Sequence, residues 1–166
     1  MGQDKAFVEI NGERLWRRQL GILRTLQPRH LFIAGPMREE GAITLRDAVT
    51  DVGPLGGLAA ALRSCSSRFL LTLAVDLPRM TSQYLTDLIR EGAGVVPRGQ
   101  PLAAVYPVSA LTIAEACLED RTFSMHEFVQ GCLAAGLVTL RESTAADEHL
   151  FFNMNTPEDA LALRHG

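Results

Sequence analysis

The sequence predicts a doubly wound, three-layer α/β/α fold with a mostly parallel sheet, and three observations lead there. Apolar runs of strand length alternate with stretches of helical periodicity along the whole chain. The strongest run, Arg68 to Val75 (RFLLTLAV), is apolar on both alternating faces, as a central parallel strand covered by helices on each side would be. Glycines and acids gather just after strands, where open α/β sheets bind their ligands. With 166 residues, 47% of them hydrophobic, the chain is expected to form one domain spanning 1–166 around a substantial core.

Taken in order, Arg14 to Leu26 carries Leu15, Trp16, Gln19, Leu20, Leu23 and Leu26 at helical spacing, and Pro28 stops that helix. His30 to Ala34 reads as a buried strand closed by Gly35 and Pro36, and Ala42 to Leu45 as a second, weaker one. The loop TDVGPLGG then leads into a short helix over Leu58 to Arg63. After the strand at 68–75, Thr81 is placed to cap the helix SQYLTDLIREG, and Gly92 to end it. Strands are expected at Gly94 to Val96, Ala103 to Tyr106 and Leu137 to Leu140, and helices at Ala110 to Glu119 and Ser124 to Ala135. The chain closes with an extended stretch, Phe151 to Met154, and a helix opened by Thr156-Pro157-Glu158-Asp159. That start combines a hydroxyl cap, Pro at the first position and acids in the first turn.

Composition removes several function classes. A net charge of −3 offers no basic footprint for nucleic acid. No apolar run reaches the length of a membrane span, and no stretch resembles a cleavable signal peptide. Cys65, Cys117 and Cys132 are odd in number and widely spaced, so neither a zinc site nor a disulfide framework is indicated, and a reducing cytoplasm is the expected compartment. His30, His126, His149 and His165 lack metal-ligand spacing. Fifteen of the sixteen basic residues are Arg, and Lys5 is the single Lys. A compact ammonium can sit against a phosphate where a guanidinium fork does not fit, although codon bias alone also explains the ratio.

Three places carry candidate chemistry. Asp76 follows the strongest strand in LAVDLP, where a carboxylate can hold Mg²⁺ against phosphate oxygens or simply serve as a loop acid. Gly53-Pro54-Leu55-Gly56-Gly57 lies between a strand and a helix. Such glycines admit a ligand close to the backbone, with amides at the helix start facing an anion or a base edge, or they serve turn geometry alone. Asn153 and Asn155 lie two apart on an extended segment and share a side; they offer uncharged donors and acceptors to a ligand, or help begin the last helix.

The order of these blocks is more specific than any one of them. Met1-Gly2-Gln3-Asp4-Lys5-Ala6, Gly53-Pro54-Leu55-Gly56-Gly57, Asp76-Leu77-Pro78, Pro101-Leu102-Ala103-Ala104-Val105-Tyr106 and Asn153-Met154-Asn155-Thr156-Pro157-Glu158-Asp159 together resemble the molybdenum cofactor guanylyltransferase family, of the sugar-nucleotidyltransferase-like enzymes. The resemblance spans essentially the whole chain. It implies a Rossmann-like nucleotidyltransferase fold and Mg²⁺-dependent transfer of GMP from GTP to the terminal phosphate of molybdopterin, with release of pyrophosphate. By position it also assigns roles. Lys5 resembles the lysine on the nucleotide phosphates, Asp47 a GTP-contacting acid, and Gly53, Pro54 and Leu55 the nucleotide loop. Asp76 resembles the acid that binds Mg²⁺ and nucleotide, and Asn153 and Asn155 the pair near the phosphates and the pterin. Transient contact with cofactor-delivery proteins or molybdoenzymes is implied as well.

Two departures accompany the resemblance. Family members begin with a buried strand and a Gly-rich loop of the type LAGGxSxRMG, of which only Met1-Gly2 stands here. Met1 is therefore expected to be an internal methionine of a longer protein, and lack of the strand is expected to expose a neighbouring sheet edge and apolar surface. Ala34 and Gly35 also stand where some members have Asn, which bears on base recognition. Two alternatives follow: the related cytidylyltransferase acting on the same pterin with CTP, and a non-catalytic nucleotide- or pterin-binding protein of this fold. Arg121 and Ser124 are readable as contacts to a pterin phosphate or as a helix start.

Overall fold

The computed structural model describes residues 9–10, 12–45 and 52–154. A short hairpin comes first, β1 (Glu9–Ile10) antiparallel to β2 (Glu13–Arg14), and runs directly into α1 (Leu15–Thr25). It is followed by β3 (Phe32–Ala34), β4 (Ile43–Leu45), α2 (Pro54–Ser64), β5 (Phe69–Leu71) and α3 (Ser82–Arg90). Then come β6 (Val95–Pro97), β7 (Val105–Pro107), α4 (Leu111–Glu119), α5 (Met125–Ala134) and β8 (Thr139–Arg141).

Two groups of strands form. β3 and β4 pair in parallel. The others make a four-stranded sheet in the order β5-β7-β6-β8, in which β6 and β8 are parallel and β7 runs against both β5 and β6. Within that sheet β5, β6 and β8 therefore share one direction and only β7 is reversed, a mostly parallel arrangement. Successive strand residues face opposite sides. Leu70, Val96, Ala104 and Tyr106 enter a core beneath α2, α4 and α5, whereas Phe69, Leu71, Val95 and Val105 enter another that holds α3 and the end of α1. Helices thus cover both faces, as the doubly wound pattern requires.

Helix boundaries follow local chemistry. The Thr81 hydroxyl accepts the Tyr84 N–H at 3.3 Å, and Gly92 at φ 65° ends α3. Ser124 caps α5 by accepting the Glu127 N–H at 3.4 Å, so its hydroxyl serves the helix start. The segment expected as the loop GPLGG is instead the first turn of α2, which starts four residues earlier than the sequence predicts. Pro54 at the helix start needs no N–H partner there, and Gly53 makes the preceding turn at φ 63° and ψ −155°.

The run at 68–75 also differs from the expectation of a central parallel strand. Its neighbour β7 is antiparallel, and its other edge is unpaired among the described residues. Apolarity on both faces reports covering helices and is silent about which edges are paired. At the far side, Gly94 lets strands converge: a Cβ there would lie 2.2 Å from the Leu137 carbonyl oxygen and 2.8 Å from Pro107 Cδ. Phe151 ends a 3₁₀ turn, Glu148–Phe151, and only the residues after it are non-helical. The expected helix from Thr156 lies outside the described residues.

Candidate functional site

The site forms where β3, β5 and the start of α2 meet. Beyond β5 the chain stays in register with β7's approach, the Thr72 N–H donating to Ala104 O at 2.8 Å and the Ala74 N–H to Leu102 O at 2.7 Å. This carries the backbone straight to Asp76, whose side chain is half-buried. Gly35 and Pro36 after β3, Gly53 and Pro54 at α2 and Asp76 all rim one cavity of about 780 Å³. At the start of α2 Pro54 has no N–H and the Gly56 N–H donates to Gly53 O at 3.3 Å, so it is the positive end of the helix dipole that favours an anion at this rim. Leu55 contributes differently from its neighbours: its side chain is fully buried in the core under α2, which leaves only its backbone to face a ligand.

The segment 75–78 is held from two sides. From α1, Gln19 Nε2 donates to Leu77 O at 2.6 Å and lies 3.5 Å from Val75 O, and Arg18 Nε donates to Pro78 O at 3.0 Å. From the C-terminal side, the Met154 N–H donates to Asp76 O at 2.9 Å. Met154 is buried against Leu15, Val75 and Phe152, so this junction is packed as well as hydrogen-bonded. Asn153, one residue earlier, is exposed beside it. Arg79 is exposed too, its guanidinium 4.7 Å from the centre of the Phe152 ring.

Two blocks 76 positions apart in sequence, Asp76-Leu77-Pro78 and Phe152-Asn153-Met154, are therefore joined at the mouth of the cavity. A family model described as the MobA-like NTP transferase domain matches residues 1–147. The chain belongs to that family. Similar proteins include a probable molybdenum cofactor guanylyltransferase of Opitutus terrae, 32% identical, with 96% of this chain and 86% of that one covered. Another, of Pelotomaculum thermopropionicum, is 30% identical over 99% of this chain and 85% of its own. Among solved structures, molybdopterin-guanine dinucleotide biosynthesis protein A of Archaeoglobus fulgidus superimposes with a TM-score of 0.76 at 22% identity, covering 98% and 90% of the two chains. The 2-C-methyl-D-erythritol 4-phosphate cytidylyltransferase of Thermus thermophilus gives 0.72 at 17%, covering 96% and 92%. Both share the fold, and this MobA-like chain is a nucleotidyltransferase.

Of the residues singled out in the sequence, Gly53, Pro54 and Asp76 rim the same cavity, and Asn153 adjoins Asp76 through the backbone. Lys5, Asp47 and Asn155 lie outside the described residues. Gln19, Arg18 and Arg79 were not singled out as site residues. The signal for Gln19 was an amide within the apolar stripe of α1, a position a solvent-facing residue would not occupy; it is 3% exposed. Among the described residues no three His, Cys, Asp or Glu side chains converge as a protein-built metal cage would need. One hard carboxylate at the cavity mouth fits instead a hard cation that takes its other ligands from substrate phosphates and water.

No described helix is long and apolar enough to cross a membrane.

Proposed function

We propose that this chain transfers GMP from GTP to the terminal phosphate of molybdopterin and releases pyrophosphate. Its membership of the MobA-like family and the two guanylyltransferase relatives at 30% identity or more support that reading. The observation that carries it is the Met154 N–H to Asp76 O bond, which ties the Asn153 segment to the backbone of Asp76 at the mouth shared with Gly53 and Pro54.

The reaction needs no protein nucleophile. A phosphate oxygen of the pterin attacks the α-phosphorus of GTP, the bond from that phosphorus to the bridging oxygen breaks, and pyrophosphate leaves with the electron pair. The protein's work is alignment and charge neutralisation. The start of α2, with Gly53, Pro54 and the backbone of Leu55, orients the nucleotide, and Lys5 neutralises its phosphates. Asp47 contacts GTP, while Asn153 and Asn155 face the phosphates on the pterin side. Asp76 would hold Mg²⁺, which when bound neutralises charge on the phosphate oxygens. The clamp from Gln19 and Arg18 keeps the Asp76 backbone from moving as charge develops. The chain acts in the cytoplasm.

The test is pyrophosphate release from GTP and from CTP with molybdopterin as acceptor. Release with GTP in clear excess over CTP is expected. Preference for CTP would assign the chain to the cytidylyl branch, and tight nucleotide binding without turnover would make it a binding protein.

A further inference from the structure

The turn that follows Asp76 carries a cation with no acid to balance it. Leu77 and Met80 are buried, and the Met80 N–H donates to Leu77 O at 3.1 Å, which closes a tight turn across Pro78 and Arg79. Proline in the second position presets the backbone for such a turn. Leu77 and Met80 anchor it in the core that holds α3, and the Arg18 Nε bond to Pro78 O ties it to α1. Arg79, next to the buried Met80, is exposed, so a mobile charge stands on a rigid base.

Charge makes that position informative. Several arginines elsewhere take acids as partners: Arg17 and Arg24 meet Glu39, Arg63 meets Glu115, Arg98 meets Glu142 and Arg141 meets Glu91. Arg79 and Arg18 instead meet a ring and a carbonyl, and neither faces a carboxylate among the described residues. Two guanidinium groups at one turn repel each other, and a bound anion offsets that repulsion.

The Phe152 ring supplies a second, independent observation. Arg79 Cζ lies 4.7 Å from its centre. Contact with the ring holds the guanidinium in place and leaves its N–H groups, which point outward in its own plane, able to donate. A guanidinium held in this way loses little freedom when it grips a phosphate through two parallel hydrogen bonds. The contact also says which side of the site the charge serves. Phe152 precedes Asn153, and the next residue, Met154, is bonded to Asp76 O. Gly53, Pro54 and Asp76 rim the cavity, whereas Arg79 stands outside it on the Asn153 side. An anion gripped by Arg79 therefore reaches Asp76 from outside the cavity, away from the start of α2.

We infer that Arg79, with Arg18 beside it, binds the terminal phosphate of the acceptor pterin and holds it at the mouth. The inference rests on the transferase reading above and names a residue for its acceptor side. Acceptor and triphosphate are both anions, so bringing them together costs Coulomb repulsion that a guanidinium on the acceptor side reduces. Phe152 is the positioning residue, because it fixes the guanidinium without touching substrate.

The test measures binding of a pterin that carries a terminal phosphate, and of the same pterin with that phosphate removed, by fluorescence anisotropy. Mg²⁺ and a GTP analogue that cannot be cleaved between its α- and β-phosphates are present. The proteins are the unaltered chain, Arg79→Gln and Arg79→Lys, each with its urea midpoint measured and its affinity for Mg-GTP titrated separately. Arg79→Gln is expected to weaken binding of the phosphorylated pterin at least about tenfold. Its affinity for the dephosphorylated pterin and for Mg-GTP, and its urea midpoint, stay unchanged. Arg79→Lys recovers part of the loss, since it keeps the charge and gives up the planar fork. Equal binding of the phosphorylated pterin by Arg79→Gln and the unaltered chain would overturn the inference and leave the transferase reading in place. An equal loss with both pterins would overturn it too, as the mark of a packing role. So would a matching loss of Mg-GTP affinity, which would give Arg79 to the nucleotide's phosphates. Failure of the unaltered chain to bind either pterin would remove the acceptor reading and this inference with it.

Discussion

Gly53 holds φ 63° and ψ −155°, a region that side chains other than glycine's rarely enter. No atom lies within 4 Å of a Cβ placed there, so the constraint is the backbone's own. Gly53→Ala is expected to cost ~1–3 kcal/mol of stability, read as a lower midpoint in urea, and to weaken nucleotide binding because the start of α2 is re-aimed. Asp76 and Asn153 were legible as residues because the chain changes character at them, from apolar run to polar turn. Gln19 was less so, since its spacing placed it with the apolar side chains of α1 and only burial shows that its amide holds the 75–78 segment. Cys132 is buried, and burial pushes its thiol up to about 12. Cys65, Cys117 and Cys132 are all free thiols.

At the scale of elements, the turn before the Asn153 segment depends on one carboxylate. Asp147 accepts from the Thr144 hydroxyl at 2.8 Å and from the Thr144 N–H at 3.0 Å, and these bonds hold its acid below the ordinary aspartate range. A lowered folded value means that the stabilisation is present above the unfolded value and lost as pH falls through the folded one. Amide exchange at Asp147 and Leu150 should therefore speed up as pH drops below about 4, after correction for intrinsic rates, and Asp147→Ala should remove that pH dependence. Most helices were legible from spacing and caps, because Thr81, Gly92 and Ser124 do locally what their residue types favour. The start of α2 was missed because Gly-Pro-Leu-Gly-Gly has turn composition, while Gly56 and Gly57 sit inside the helix and are buried. The opening hairpin was missed although Asn11-Gly12 is a strong two-residue turn signal.

For the whole molecule, a sheet with helices on both faces was legible, because runs apolar on both sides leave no face for water. Strand order was not: an apolar run of three residues reads alike beside a parallel or an antiparallel neighbour, and β7's reversal is set by its connections. The larger core, beneath α2, α4 and α5, rests on a pair of aromatic side chains, Tyr106 and Phe128, with ring centres 5.2 Å apart and both fully buried. Phe128→Ala is expected to cost ~3–5 kcal/mol, measured by denaturant unfolding. Because those rings lie under the face away from Asn153, nucleotide affinity of the folded fraction should be nearly unchanged.

The central claim is that the mouth between β5 and α2 binds a nucleotide through Asp76. Calorimetric titration of the protein and of Asp76→Asn with Mg-GTP and Mg-CTP tests it most directly. Tighter binding of GTP than of CTP, weakened at least tenfold in the variant, is the predicted result. Mg-GTP binding of equal affinity in both proteins would contradict it.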